Sequence, residues 1–128
     1  MNHLIDPGSL LDRIRARAGP FDERAFLFVL GTVQFLQARL PVRRHVTGPE
    51  LAWACRDYAL EQYGLLAKSV LEYWGLRETR DIGRIVFALV EIGLLITQPS
   101  DREEDFDDVY QFAEAFDATY VWAGGRST

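Results

Sequence analysis

The 128-residue chain holds one cysteine, Cys55, which excludes an internal disulfide and fits a reducing compartment. It has no apolar run of about 20 residues and no charged-then-apolar leader. Membrane spanning and secretion are therefore not expected, and a cytoplasmic location is. Nothing resembles a basic tail or stripe, the usual footprint of nucleic-acid binding. No glycine-rich loop follows a strand, and neither G-x-S-x-G nor H-E-x-x-H occurs. His3 and His45 stand far apart and Cys55 has no paired neighbour, so no zinc site is expected.

Two further chemistries are weighed and set aside. Acids occupy positions 1, 3, 5 and 7 of a calcium-type loop counted from Asp101, but position 6 is Phe106 where glycine is needed and position 12 is Phe112 where glutamate is needed. Cys55 falls on the apolar side of its segment, which suits packing rather than nucleophilic work. No catalytic residue, metal or cofactor is expected.

What is present is enough apolar material, 48% of residues, for one domain. A chain of this length buries about two-thirds of its unfolded surface. That domain is placed at 1–118, with 119–128 a tail expected to fray at Gly-Gly-Arg-Ser-Thr, Tyr120 and Trp122 being candidates to dock. The net charge of −5 is uneven: residues 1–100 carry 12 basic and 11 acidic groups, residues 101–128 carry 2 and 8.

The stretch Thr79–Thr97 organises the rest. Ile82, Ile85, Val86, Leu89 and Val90 recur at helical spacing, with Thr79 as a cap, Asp81 in the first turn and Gly93 as a left-handed stop. Leu94, Leu95 and Ile96 then read as a short strand. Upstream, Asp6-Pro7-Gly8 opens a first helix with Ser9 and Asp12 as a partial cap, Leu10, Leu11 and Ile14 on one side and Arg13, Arg15 and Arg17 on a solvated other side; Gly19-Pro20 ends it. Asp22 caps a second helix stapled by Phe21 and Phe26, with Phe26, Val29, Leu30, Val33 and Leu36 as its stripe and Phe28 and Phe35 off it.

Residues 40–46 are a connector with the chain's tightest basic cluster, Arg43-Arg44-His45. Thr47 and Glu50 form a complete capping box, Val46 and Leu51 a staple, and Pro49 lies in the first turn. That helix runs to about Tyr63 with Leu51, Cys55, Tyr58, Ala59 and Gln62 along one side, and Gly64 stops it. A shorter helix from Leu65 to Trp74 carries Leu66, Val70, Tyr73 and Trp74 and ends at Gly75. Helix, turn and helix feeding a strand are the parts of a winged-helix-like unit. Past Pro99 two patterns compete. Phe106, Val109, Tyr110, Ala113 and Phe116 have helical spacing, while Phe106, Asp108, Tyr110 and Phe112 alternate as a returning strand would. The preferred reading is an acidic helical turn and then a short strand near Val109–Phe112. The expected fold is thus mainly α, a single multi-helix domain with a winged-helix-like C-terminal half and at most a short β-hairpin.

Three runs carry a resemblance: His45-Val46-Thr47-Gly48-Pro49-Glu50-Leu51, Arg56-Asp57-Tyr58-Ala59-Leu60-Glu61-Gln62-Tyr63-Gly64 and Val70-Leu71-Glu72-Tyr73-Trp74-Gly75. With Ile85-Val86-Phe87, Gly93-Leu94-Leu95, Asp105-Phe106 and Phe112, the chain resembles the Minf-type family of short uncharacterised bacterial proteins, found chiefly in planctomycetes and verrucomicrobia. The likeness covers roughly Phe26 to Phe116 and implies no activity, cofactor or catalytic residue. The expected function is a non-enzymatic protein-interaction module, a cytoplasmic adaptor or regulatory protein, with Arg43, Arg44, His45, Arg77 and Arg80 as its interaction surface. The alternatives are nucleic-acid or ribosome association through Arg39, Arg43, Arg44, Arg77 and Arg80, and a small enzyme.

Overall fold

A computed structural model of the chain describes residues 7–117. Asp6, His3 and the tail 119–128 with Tyr120 and Trp122 lie outside them. The described residues form α1 (Pro7–Ala18), α2 (Glu23–Arg39), α3 (Gly48–Tyr63), a 3₁₀ turn (Gly64–Leu66), α4 (Ala67–Tyr73), α5 (Thr79–Glu91), a second 3₁₀ turn (Glu103–Phe106) and α6 (Phe112–Ala115). The domain is mainly helical, as expected.

Helix α5 touches α1, α2, α3 and the second 3₁₀ turn. Ile82, Ile85, Val86, Ala88 and Leu89 are buried, so the apolar face legible in the sequence is the inner one. Its start differs from the expectation. The N-cap is Glu78, and the Asp81 carboxylate accepts the N–H groups of Arg77 (2.9 Å) and Glu78 (3.2 Å). Thr79 is buried in the first turn, where its hydroxyl accepts the Val109 N–H at 3.1 Å. The hydroxyl serves a tertiary contact 30 residues away instead of a local cap.

The end of α5 is a Schellman motif. Gly93, at φ 85°, lets its N–H reach Val90 O (3.0 Å) while the Leu94 N–H reaches Leu89 O (2.9 Å). The Leu95 N–H also points back to Leu89 O (3.3 Å). Spent on the helix end, these donors cannot start a sheet. No strand occurs among the described residues, so the strand expected at Leu94–Ile96, its return near Val109–Phe112 and the wing they would make are not formed. The acidic helical turn is there as the second 3₁₀ turn, and Phe112 opens α6.

The other helices begin as their local signals require. Asp22 accepts the Arg24 N–H at 2.9 Å, and the Phe21 and Phe26 rings meet edge-on at 6.4 Å between centroids. Glu50 N–H donates to the Thr47 hydroxyl (3.3 Å), and Thr47 N–H donates back to the Glu50 carboxylate (2.9 Å). Phe28, off the expected stripe, is buried against the Tyr58 and Trp74 rings. In α4 the inner residues are Ala67 and Leu71, with Trp74 just after it, and Leu66 and Tyr73 face outward. The 3₁₀ turn at Gly64–Leu66 shifts the phase of the following helix, which is why a single helix drawn from Leu65 puts the wrong residues inside.

Candidate interaction surface

Five residues are candidates for an interaction surface, and the structure does not bring them to one place. Arg44 is tied to Glu50, with Nη1 and Nη2 at 3.2 and 2.7 Å from its two carboxylate oxygens. The same pairing, helped by the Thr47 N–H, pushes the Glu50 carboxyl down to about 2. His45 Nε2 lies 3.1 Å from Asp101 Oδ1 and bridges the connector to the loop before the second 3₁₀ turn. Arg80 leans to Asp107 at 3.5 Å. Arg43 and Arg77 are exposed and have no ion-pair partner among the described residues, but Arg77 borders a hollow beside Arg15, Phe21 and Gly75, whereas His45 borders a different cleft.

The Arg13/Arg15/Arg17 side of α1 is not simply solvated. Arg15 Nε donates to Phe21 O at 3.3 Å, and Arg17 bridges the Glu91 carboxylate at the end of α5 and Glu103 Oε1 (2.7 Å). These hydrogen bonds raise the pKa of the Arg17 guanidinium, Glu103 contributing most. With Arg24 on Asp22, Arg56 on Asp57 and Arg84 by Asp81, six of the twelve described arginines are paired with a carboxylate.

The cleft bordered by His45 is smaller but more enclosed than the hollows beside Arg77 and Tyr63. It has a volume of about 280 Å³, close to the lower end for ligand pockets (about 300 Å³), which is room for one or two apolar side chains. Val33 and Gln37 of α2, Leu51 of α3, Val86 and Phe87 of α5, and Leu94–Thr97 line it, with Asp101, Arg102, Asp105 and Phe106 as its acidic wall. Gln37 Nε2 donates to Arg44 O (2.7 Å) and pins the connector to α2; Gln37 Oε1 is buried with no donor among the described residues. At the rim Leu94 is 46% exposed and Ile96 91% exposed. Leu65, Leu66 and Tyr73 make a second exposed apolar area around a shallower hollow by Tyr63 and Val70.

Sequence reasoning missed the aromatic latch on the far side of α3. Tyr110 donates its hydroxyl to Ala52 O (2.8 Å) and packs on Trp53 and Phe112. Buried Arg56 lies over Trp53, pairs with Asp57 and donates to Ala115 O (3.2 Å). This latch holds α6. Burial pushes the Tyr110 phenol well above its ordinary value and Cys55 up to about 12, so both are protonated at neutral pH and poor as base or nucleophile.

Among the described residues, no three His, Cys, Asp or Glu side chains gather as a metal site requires, and no helix is long and apolar enough to cross a membrane. No family model matches the chain, and no curated protein or solved structure matches it at a significant level. The Minf-type resemblance therefore rests on the residues quoted for it.

Proposed function

We propose that this chain is a non-enzymatic protein-interaction module, an adaptor or regulatory protein of the cytoplasm, and that it docks a partner protein in the cleft between α2, α3, α5 and residues 94–97. One observation carries this reading: Ile96, 91% exposed, and Leu94, 46% exposed, stand at the mouth of a cleft floored by Leu51, Val86 and Leu95. Apolar side chains held in water beside an apolar hollow are the usual anchor points of a protein interface. The succession α3, α4, α5 is the helical part of a winged-helix-like unit.

Nucleic-acid association has less behind it. Phosphate binding needs several unpaired cations on one face, and here Arg44 and Arg80 are paired, Arg39 lies over the Phe35 ring and Arg77 borders the hollow beside Phe21. The test is co-purification from cells with the wild-type chain and with Ile96→Asp. A protein recovered with the wild type and lost with Ile96→Asp is the expected result. Nuclease-sensitive material recovered equally with both would overturn the reading.

A further inference from the structure

We infer that the occupant of this cleft is a basic amphipathic segment of the partner protein; the inference rests on the docking reading above and adds the partner's charge. The floor is apolar, but one wall is built from the acidic stretch, with Asp101 and Asp105 both lining the cleft. Each is fixed by a backbone donor: Asp101 Oδ2 accepts the Gln98 N–H (2.7 Å) and Asp105 Oδ2 the Arg102 N–H (3.0 Å). A neutral donor orients a carboxylate without cancelling its charge.

The neighbouring acids divide. Glu103 is paired with Arg17 and Asp107 with Arg80, whereas Glu104 and Asp108 are exposed and have no basic partner among the described residues. Glu104 and Asp108 stand outside the lining itself, in which Asp101 and Asp105 face one arginine, Arg102, and His45, which is held by Asp101. Like charges beside a low-dielectric floor focus a field that attracts cations and repels acidic segments. An amphipathic helix answers all of this, with apolar residues at i, i+3 or i+4 and i+7 for the cleft and Lys or Arg flanking them for the wall.

The test is a selection of displayed random peptides of about 16 residues, enough for four helical turns, against the full chain at low ionic strength. Selected peptides are then titrated against two variants that change exposed residues. Ile96→Asp removes the apolar rim. The triple variant E104Q/D105N/D108N removes charge but keeps shape. The amide oxygen introduced by D105N can still accept the Arg102 N–H, and asparagine tolerates the left-handed φ of 51° at position 108. The expected result is enrichment of apolar periodic peptides of net positive charge, bound about tenfold more weakly by the triple variant and not by Ile96→Asp. Neutral or acidic peptides that still depend on Ile96 would overturn the charge inference and leave the docking reading standing. If no selected peptide depends on Ile96, the docking reading itself falls.

Discussion

Phe106 is seated on the bare backbone of Gly83: a Cβ at Gly83 would stand 2.8 Å from Phe106 Cβ. That contact ties the second 3₁₀ turn to the middle of α5 and makes the acidic stretch a wall of the cleft instead of a free wing. Glycine inside a helix costs about 0.8–1 kcal/mol relative to alanine, and here it is the condition for close approach.

Gly83→Ala is therefore expected to destabilise, against helix propensity. Overpacking costs about 1–3 kcal/mol, and the clash is with the root of the phenylalanine side chain, which no rotamer change moves away. A net loss of up to about 2 kcal/mol is expected from urea unfolding, after subtracting the propensity gain. A more stable variant would show that the turn does not pack here.

Leu89 is fully buried on the inner face of α5. Leu89→Ala should cost about 2–5 kcal/mol, the range for a core truncation, and a loss below about 1 kcal/mol would mean that this face is not the packed one.

The capping box has a pH signature. The Glu50 carboxyl is held down at about 2 by Arg44 and the Thr47 N–H, against an ordinary value of about 4.3. With the folded pKa below the unfolded one, its contribution is complete above about pH 4.3 and is lost as pH falls through about 2. Its side chain is 36% exposed, so solvent screening holds the contribution to no more than about 1 kcal/mol. The stability difference between wild type and Glu50→Gln should shrink as pH falls from about 5 to about 2. The cost of Thr47→Ala, about 1 kcal/mol, should vary much less. A Glu50→Gln difference that is flat with pH would contradict the assignment.

How much was legible follows the reach of each interaction. The Thr47/Glu50 box, the Phe21/Phe26 staple and the Ile82–Leu89 face span a few residues, and the sequence shows them directly. Thr79 misled because its hydroxyl serves Val109, and the 94–112 segment misled because its aromatic spacing fits strand and helix alike. What decides that segment is Phe106 on Gly83 and Tyr110 on Ala52 O, contacts 23 and 58 residues apart along the chain. The arginines were the least legible part of the site. Arg17 looks like a surface residue until Glu91 and Glu103, 74 and 86 residues away, are placed beside it. Arg44 joins a basic cluster in sequence while its guanidinium is spent on Glu50.

Cys55 offers a probe of the whole core. It is fully buried, and burial outweighs the lowering effect of the Thr32 hydroxyl in pushing its thiol up to about 12. A thiol reagent near neutral pH should react only as fast as the fold opens, with urea accelerating it. Immediate stoichiometric labelling of the native chain would contradict the packing of α3 against α2.

The most direct test of the central claim is a backbone amide NMR titration of the full chain with a selected basic amphipathic peptide. Shifts are expected at Gln37, Leu51, Val86, Leu95, Ile96 and Asp105, which line one cleft from separate segments of the chain, and they should vanish in Ile96→Asp. Shifts gathered instead around Leu65, Leu66 and Tyr73, or spread over Arg43 and Arg77 with the cleft unmoved, would contradict it.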